Sequence, residues 1–217
     1  MKKSELIRRY LLFIFSLFIM GVGIAITRHG DLGVSPISSV ANVVALKLPV
    51  LTFGTWLFIW TCVMLLGQIL LLRRHFKMIS LLQIPLSVLF GWFTDIGTMI
   101  ASRLPADIYP LRILMVLLGT AVLAVGITMG VTADVVLNSG EAFVKALSDT
   151  VKKPFGNVKI VFDISCVAAS IVMSLLFFGG KIVGTREGTV IAALTTGLAV
   201  KLFTRLLRDP LEKLLEK

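Results

Sequence analysis

The sequence predicts an all-α membrane protein: six transmembrane helices forming two inverted three-helix repeats, each with a short re-entrant or interfacial helix after its first span. Three observations carry that expectation. Hydrophobic residues make up 57% of the 217-residue chain, and the mean hydropathy is +0.96. A soluble domain holds about 45 to 50% apolar residues. Next, the stretch from Gly21 to Ala45 (GVGIAITRHGDLGVSPISSVANVVA) is echoed from Ala124 to Ser148 (AVGITMGVTADVVLNSGEAFVKALS) at an offset of 103 residues. Gly23 then meets Gly126, Ile24 meets Ile127, Asp31 meets Asp134 and Ser35 meets Asn138. Finally, the basic residues behind the net charge of +10 gather at the ends of apolar runs, a topogenic pattern rather than a nucleic-acid surface.

At roughly 20 residues per span, the chain has room for about six crossings and little else. One membrane domain is expected over residues 1–217, with a first repeat at 10–103, a second at 111–205 and an amphipathic tail at 206–217. The tail, RLLRDPLEKLLEK, suits the membrane surface.

Lys2, Lys3, Arg8 and Arg9 precede the first apolar run, Tyr10 to Thr27. That run is longer than a signal h-region and lacks a small-residue cleavage pattern, so it is expected to remain as a span. The turn RHGDLG follows, and then Ser35 and Pro36 supply an N-cap and a first helical position. The resulting helix, Ile37 to Leu48, is too short to cross a bilayer and carries Ser38, Ser39 and Asn42. The second span, Gly54 to Leu72, is closed by RRHFK. A third, from Met78 to Ser102, contains Gln83, Pro85 and Asp95, which lipid-facing helices avoid. The fourth, Leu111 to Val131, holds Gly126 and Gly130 at a G-x-x-x-G spacing that permits close backbone approach, within the monomer or at a dimer face. The second short helix runs from beyond Asp134 to Val151, and Val158–Phe178 and Gly188–Phe203 are the last two spans. Cys62 and Cys166 sit inside apolar runs and read as packing side chains.

With the short helices not crossing, and the N-terminus inside, 16 Lys and Arg fall on the cytoplasmic side and 6 outside. The split places both termini in the cytoplasm of a bacterial inner membrane. Three spans per half is an odd number, so the second copy lies inverted, and such pairs enclose a site near the midplane with broken helices contributing their ends.

Four stretches carry a family resemblance: the basic-plus-apolar opening, DLGVSP from Asp31 to Pro36, GWFTD from Gly91 to Asp95, and GTREGTVIAALTTG from Gly184 to Gly197. With them the chain resembles the YczE/YyaS/YitT family of bacterial multi-span membrane proteins over nearly its whole length. The resemblance implies an inner-membrane protein of transport-related function, nearer the YczE branch because the soluble C-terminal domain of the YitT branch is not seen.

Candidate residues for substrate or ion binding are Asp31, Ser35, Asp95, Asp134, Asn138, Glu141 and Asp163, with Arg186 and Glu187 as candidate gating residues. Asp31 and Asp134 occupy equivalent turns, as helix-end supports or as a symmetric pair of acids for a cation or proton. Ser35 and Asn138 head the short helices, where free N–H groups and the dipole collect. Glu141, three residues after Asn138, would answer those N–H groups itself, which favours a zwitterion or cation over a bare anion. Asp95 lies between Thr94 and Thr98 with no basic neighbour in sequence, whereas Asp163 has Lys159 one turn earlier. Arg186 and Glu187 pair with each other or gate the outer mouth.

His29 and His75 sit in separate turns without further ligands, so no metal site and no cofactor are expected. No catalytic or phosphate-loop signature occurs, and an enzyme is not expected. The leading functional reading is a small secondary transporter of an unknown solute or ion, with the lipid bilayer as its surroundings, no nucleic acid, and a homodimer or membrane partner possible. The alternative is a non-transporting module, such as a substrate-capture subunit or accessory protein of a larger membrane complex.

Overall fold

A computed structural model describes residues 3–216, which are all-helical with no strand among the described residues. Lys2 and Lys217, two of the basic residues counted for topology, lie outside them. Six helices are long and apolar enough to cross a membrane. In chain order the α-helices are α1 (Lys3–His29), α2 (Pro36–Lys47), α3 (Phe53–Leu72), α4 (Gln83–Ala101), α5 (Tyr109–Ala133), α6 (Ser139–Val151), α7 (Phe155–Phe177) and α8 (Glu187–Glu216). The six long helices and the two short ones fall where hydropathy and turn residues place them.

Local chemistry explains the boundaries. Pro36 opens α2 at its first helical position, and the Thr52 hydroxyl caps α3 by accepting from the Thr55 N–H at 3.1 Å. The expected third span from Met78 begins instead as a 3-10 turn, Met78–Leu82, and becomes α-helical at Gln83. Pro85 then falls in the first turn, where a missing N–H breaks no helical bond. Asp31 just beyond α1 (φ 52°) and Asp134 at the end of α5 (φ 49°) both adopt the left-handed conformation. Aspartate tolerates it better than most residues. The last helix runs unbroken past Pro210 to Glu216, so the expected tail continues the span.

α1 and α5 form the central antiparallel pair. A Cβ added at Gly23 would lie 2.5 Å from the Leu123 nitrogen, and one at Gly126 would lie 2.6 Å from Met20 Cγ. Both positions exist as glycine because two backbones cross there. The crossing repeats itself at the sequence offset: Gly23 faces Gly119, and Gly126 faces Ser16. Gly126 and Gly130 thus pack inside the chain, against Ser16, Met20 and Phe13. Arg9 hydrogen-bonds the carbonyls of Thr132 and Ala133 at the end of α5, and Arg112 reaches Asp31 at the end of α1.

Around this pair, α4 packs on α1 and α8 on α5; α3 packs on α6 and α7 on α2. Phe13, Leu17 and Met20 of α1 share one core with Ala41 of α2, Leu57 of α3, Phe90 of α4 and Leu123 of α5. The bundle has two ends. The terminal end carries the start of α1 and the end of α8; the loop end carries the turns after α1, α4 and α7. Cys62 and Cys166 are free thiols.

Candidate functional site

The two short helices descend into the bundle from opposite ends, and their first turns meet. At the start of α2, the Ser39 hydroxyl lies 3.5 Å from the Cys166 carbonyl, at the midpoint of α7; at its end, Lys47 donates to the Phe177 carbonyl in the last turn of α7. α6 runs the other way. A Cβ added at Gly140, in its first turn, would lie 3.1 Å from Ile37 of α2 and 3.8 Å from Met64 near the middle of α3. Ser139 shares a hydrogen bond with Ser87 of α4 at 3.1 Å. Neither helix lies along a surface: Ser38, Ser39 and Asn42 of α2 and Ser139 of α6 are buried. Two N-termini at mid-depth bring free N–H groups and the positive ends of two helix dipoles to one region.

The side chains heading these helices leave those N–H groups alone. Ser35 occupies the N-cap position of α2, yet its hydroxyl pairs with the Ser38 hydroxyl at 2.8 Å. Asn138 occupies the N-cap of α6 without a side-chain cap bond and lines a small cavity with Glu141, Phe13 and Met20.

The bundle ends differ. At the loop end, the start of α8 is bonded to the α1–α2 turn. Gly188 donates its N–H to the Leu32 carbonyl at 2.8 Å, Val34 donates to Thr189 Oγ1 at 3.3 Å, and Asn42 donates to the Gly184 carbonyl at 2.8 Å. At the terminal end, the start of α4 and the α5–α6 turn flank a cavity of about 760 Å³, lined by Gln83, Val135, Val136 and Leu137. A second contrast agrees with the first. α3 and α4 cross tightly near the loop end, where a Cβ on Gly54 would lie 2.0 Å from the Gly91 carbonyl. Gly156 of α7, which stands 102 residues after Gly54, and Gly197 of α8 face open space.

The residues named from sequence are distributed unevenly about this centre. Asp31 is exposed and paired with Arg112 at 3.4 Å. Asp134 is an exposed helix end. Asp95 accepts from the Gly54 N–H at 2.8 Å and from the Thr52 hydroxyl, so its carboxylate caps α3 and fastens the loop-end crossing. Asp163 pairs with Lys159, as the one-turn spacing predicts. Arg186 and Glu187 pair at 3.2 Å on the surface. Of the set, Ser35, Asn138 and Glu141 sit at the meeting of the short helices; the others do not converge there.

Replacing Asp95 by Ala removes both hydrogen bonds from the N-terminus of α3. The variant is expected to lose about 1 to 2 kcal/mol of stability, measured as a lowered melting temperature in detergent.

Several contributors lie outside the set of candidate site residues drawn from the sequence. Arg28 donates to the Asn42 side chain at 2.8 Å and stacks its guanidinium 4.6 Å above the Phe53 ring. Arg28 and Asn42, with His29, Asp31, Thr98 and Ser102, line a cavity of about 270 Å³ at the loop end. Gln83 donates to Gln68 at 3.3 Å, while its own Oε1 is buried without a partner. Two glutamines near opposite ends of separate spans are a signal only once those spans are known to touch.

A model of DUF6198, a family of unknown function, matches residues 7–205. No curated protein and no solved structure matches the chain.

Proposed function

We propose that this chain, which belongs to the DUF6198 family of unknown function, is a small secondary transporter built from two inverted repeats, with its transport site where α2 and α6 meet. The contact pattern supports the repeat: α1–α4 corresponds to α5–α8, α2–α7 to α6–α3, and the glycine crossing of α1 and α5 maps onto itself. Within the family, the DLGVSP and GTREG motifs favour a YczE-like member of the bacterial inner membrane with cytoplasmic termini.

The observation that carries the reading is the inequality of the ends. An inverted repeat whose halves were in the same conformation would be equally open or closed at both. Here the α8 contacts with the α1–α2 turn and the Gly54–Gly91 crossing draw the loop end together around a cavity of about 270 Å³, while the terminal end holds a cavity of about 760 Å³ and the parted glycines of α7 and α8. Exchanging the two halves' conformations would close the terminal end and open the loop end around a fixed centre, which is alternating access. In this reading an acid such as Asp95 or Asp31 couples the exchange to a proton or cation; what supports Asp95 is that its carboxylate holds Gly54 and Thr52 at the loop end.

The test is uptake into proteoliposomes under an imposed pH gradient, across a panel of small labelled solutes. Saturable, gradient-driven uptake that loses its pH dependence in Asp95→Asn supports the reading. Absence of flux, together with co-purification of a stoichiometric membrane or ATPase partner, would replace it with the capture-subunit alternative.

A further inference from the structure

The cavity at the terminal end has a buried polar floor and a basic mouth. We infer that it is a binding site for a small organic anion that carries a hydrogen-bond donor at its far end. The inference goes beyond the transport reading and does not require flux.

The floor is the Gln68–Gln83 pair. Gln83 is 3% exposed, its Nε2 is committed to Gln68 at 3.3 Å, and its Oε1 has no partner. A buried amide oxygen left unpaired costs free energy, which a donor in the cavity would recover once the Gln83 amide turns its oxygen to meet it. The mouth carries Lys77, Lys145 and His75, with Asp149 the single carboxylate in the lining. Asp149 is engaged with Lys145 at 3.7 Å in an exposed pair, which leaves Lys77 as the net positive charge of the lining. The excess positive charge therefore lies at the mouth and the unmet acceptor at the floor. At about 760 Å³ the cavity has the size of small-molecule sites, which join mostly apolar walls to a few placed polar groups. Gln83 also lines the small pocket shared with Asn138 and Ser139, so the floor adjoins the first turn of α6.

A free hydroxy-phosphate or hydroxy-carboxylate has this chemistry, and so does the headgroup of an anionic lipid such as phosphatidylglycerol. The experiment separates these sources. Full-length protein in nanodiscs of phosphatidylcholine alone is titrated calorimetrically with glycerol 3-phosphate and with propyl phosphate, which keeps the anion but has no hydroxyl donor. Glycerol 3-phosphate is expected to bind about tenfold more tightly. Gln83→Met, of similar length, should erase that preference while leaving propyl phosphate affinity in place. The surface pair Lys77→Met and Lys145→Met should weaken both ligands about tenfold, and this arm decides the matter if Gln83→Met does not fold. If no soluble probe binds, native mass spectrometry in discs containing phosphatidylglycerol should show one retained lipid that the double lysine variant loses, which assigns the site to a lipid headgroup. Equal affinity for the two phosphates, a preference that survives Gln83→Met, lysine variants that bind like the parent, or no binding from either source would overturn the inference. Binding without flux would leave it standing and remove the transport reading.

Discussion

Gly23→Leu should abolish recovery of folded protein, whereas Gly197→Leu should behave as the parent in fluorescence-detected size exclusion. The two glycines look alike in sequence, each within an apolar span. At Gly23 even a methyl group would sit 2.5 Å from the Leu123 nitrogen and 2.8 Å from the Gly119 carbonyl. Those are backbone atoms of a facing helix, and no rotamer change relieves them. Ordinary overpacking costs about 1 to 3 kcal/mol; here relief requires parting α1 from α5, the central pair of the bundle. Gly197 has open space beside it. Equal loss in both variants would mean that α8 packs against α7 in solution.

Gly140→Phe should reduce any transport flux at least 100-fold with the protein still folded. An added Cβ meets the end of the Ile37 side chain at 3.1 Å, a flexible neighbour that can turn aside. The benzyl group then fills the space between the first turns of α2 and α6, where the account places the transported solute. Glycine at this helix position also has a conformational cost that a side chain lowers, offsetting part of the crowding. Unchanged flux would move the pathway away from the short helices.

How much of this was legible in the sequence follows from which interactions are local. Pro36 after Ser35, the acid before each short helix and the apolar run lengths are short-range signals, and most boundaries they mark lie within a few residues of the helices observed; the exceptions are the start of α1, at Lys3 rather than Tyr10, and the end of α8, at Glu216 rather than Phe203. The Asp163–Lys159 pair was readable for the same reason, being one helical turn apart. Asp95 was not. Its role is decided by Gly54 and Thr52, about forty residues away and on another helix, so its own surroundings in sequence suggested a free acid. The Ser35 hydroxyl turns to Ser38 rather than to the backbone, a choice between two local bonds that residue type does not decide. The offset of 103 residues pointed to two like halves, but like halves carry no information about which end of the bundle is open. That difference lives in long-range contacts, Gly188 with Leu32 and Asn42 with Gly184, and in the cavity beside Gln83.

Side-specific labelling tests alternating access most directly. Leu137 leads into the first turn of α6; it is 37% exposed and lines both the large terminal-end cavity and the small pocket shared with Asn138 and Ser139. A Leu137→Cys variant, made with Cys62 and Cys166 replaced by Ser, is reconstituted in one orientation and treated with a membrane-impermeant thiol reagent from each side. The account predicts modification from the terminal side at rest, modification from the loop side when a transported solute and gradient drive turnover, and never from both sides in one fixed state. Modification from both sides at once, as in an open channel, or from neither side under any condition, would contradict it.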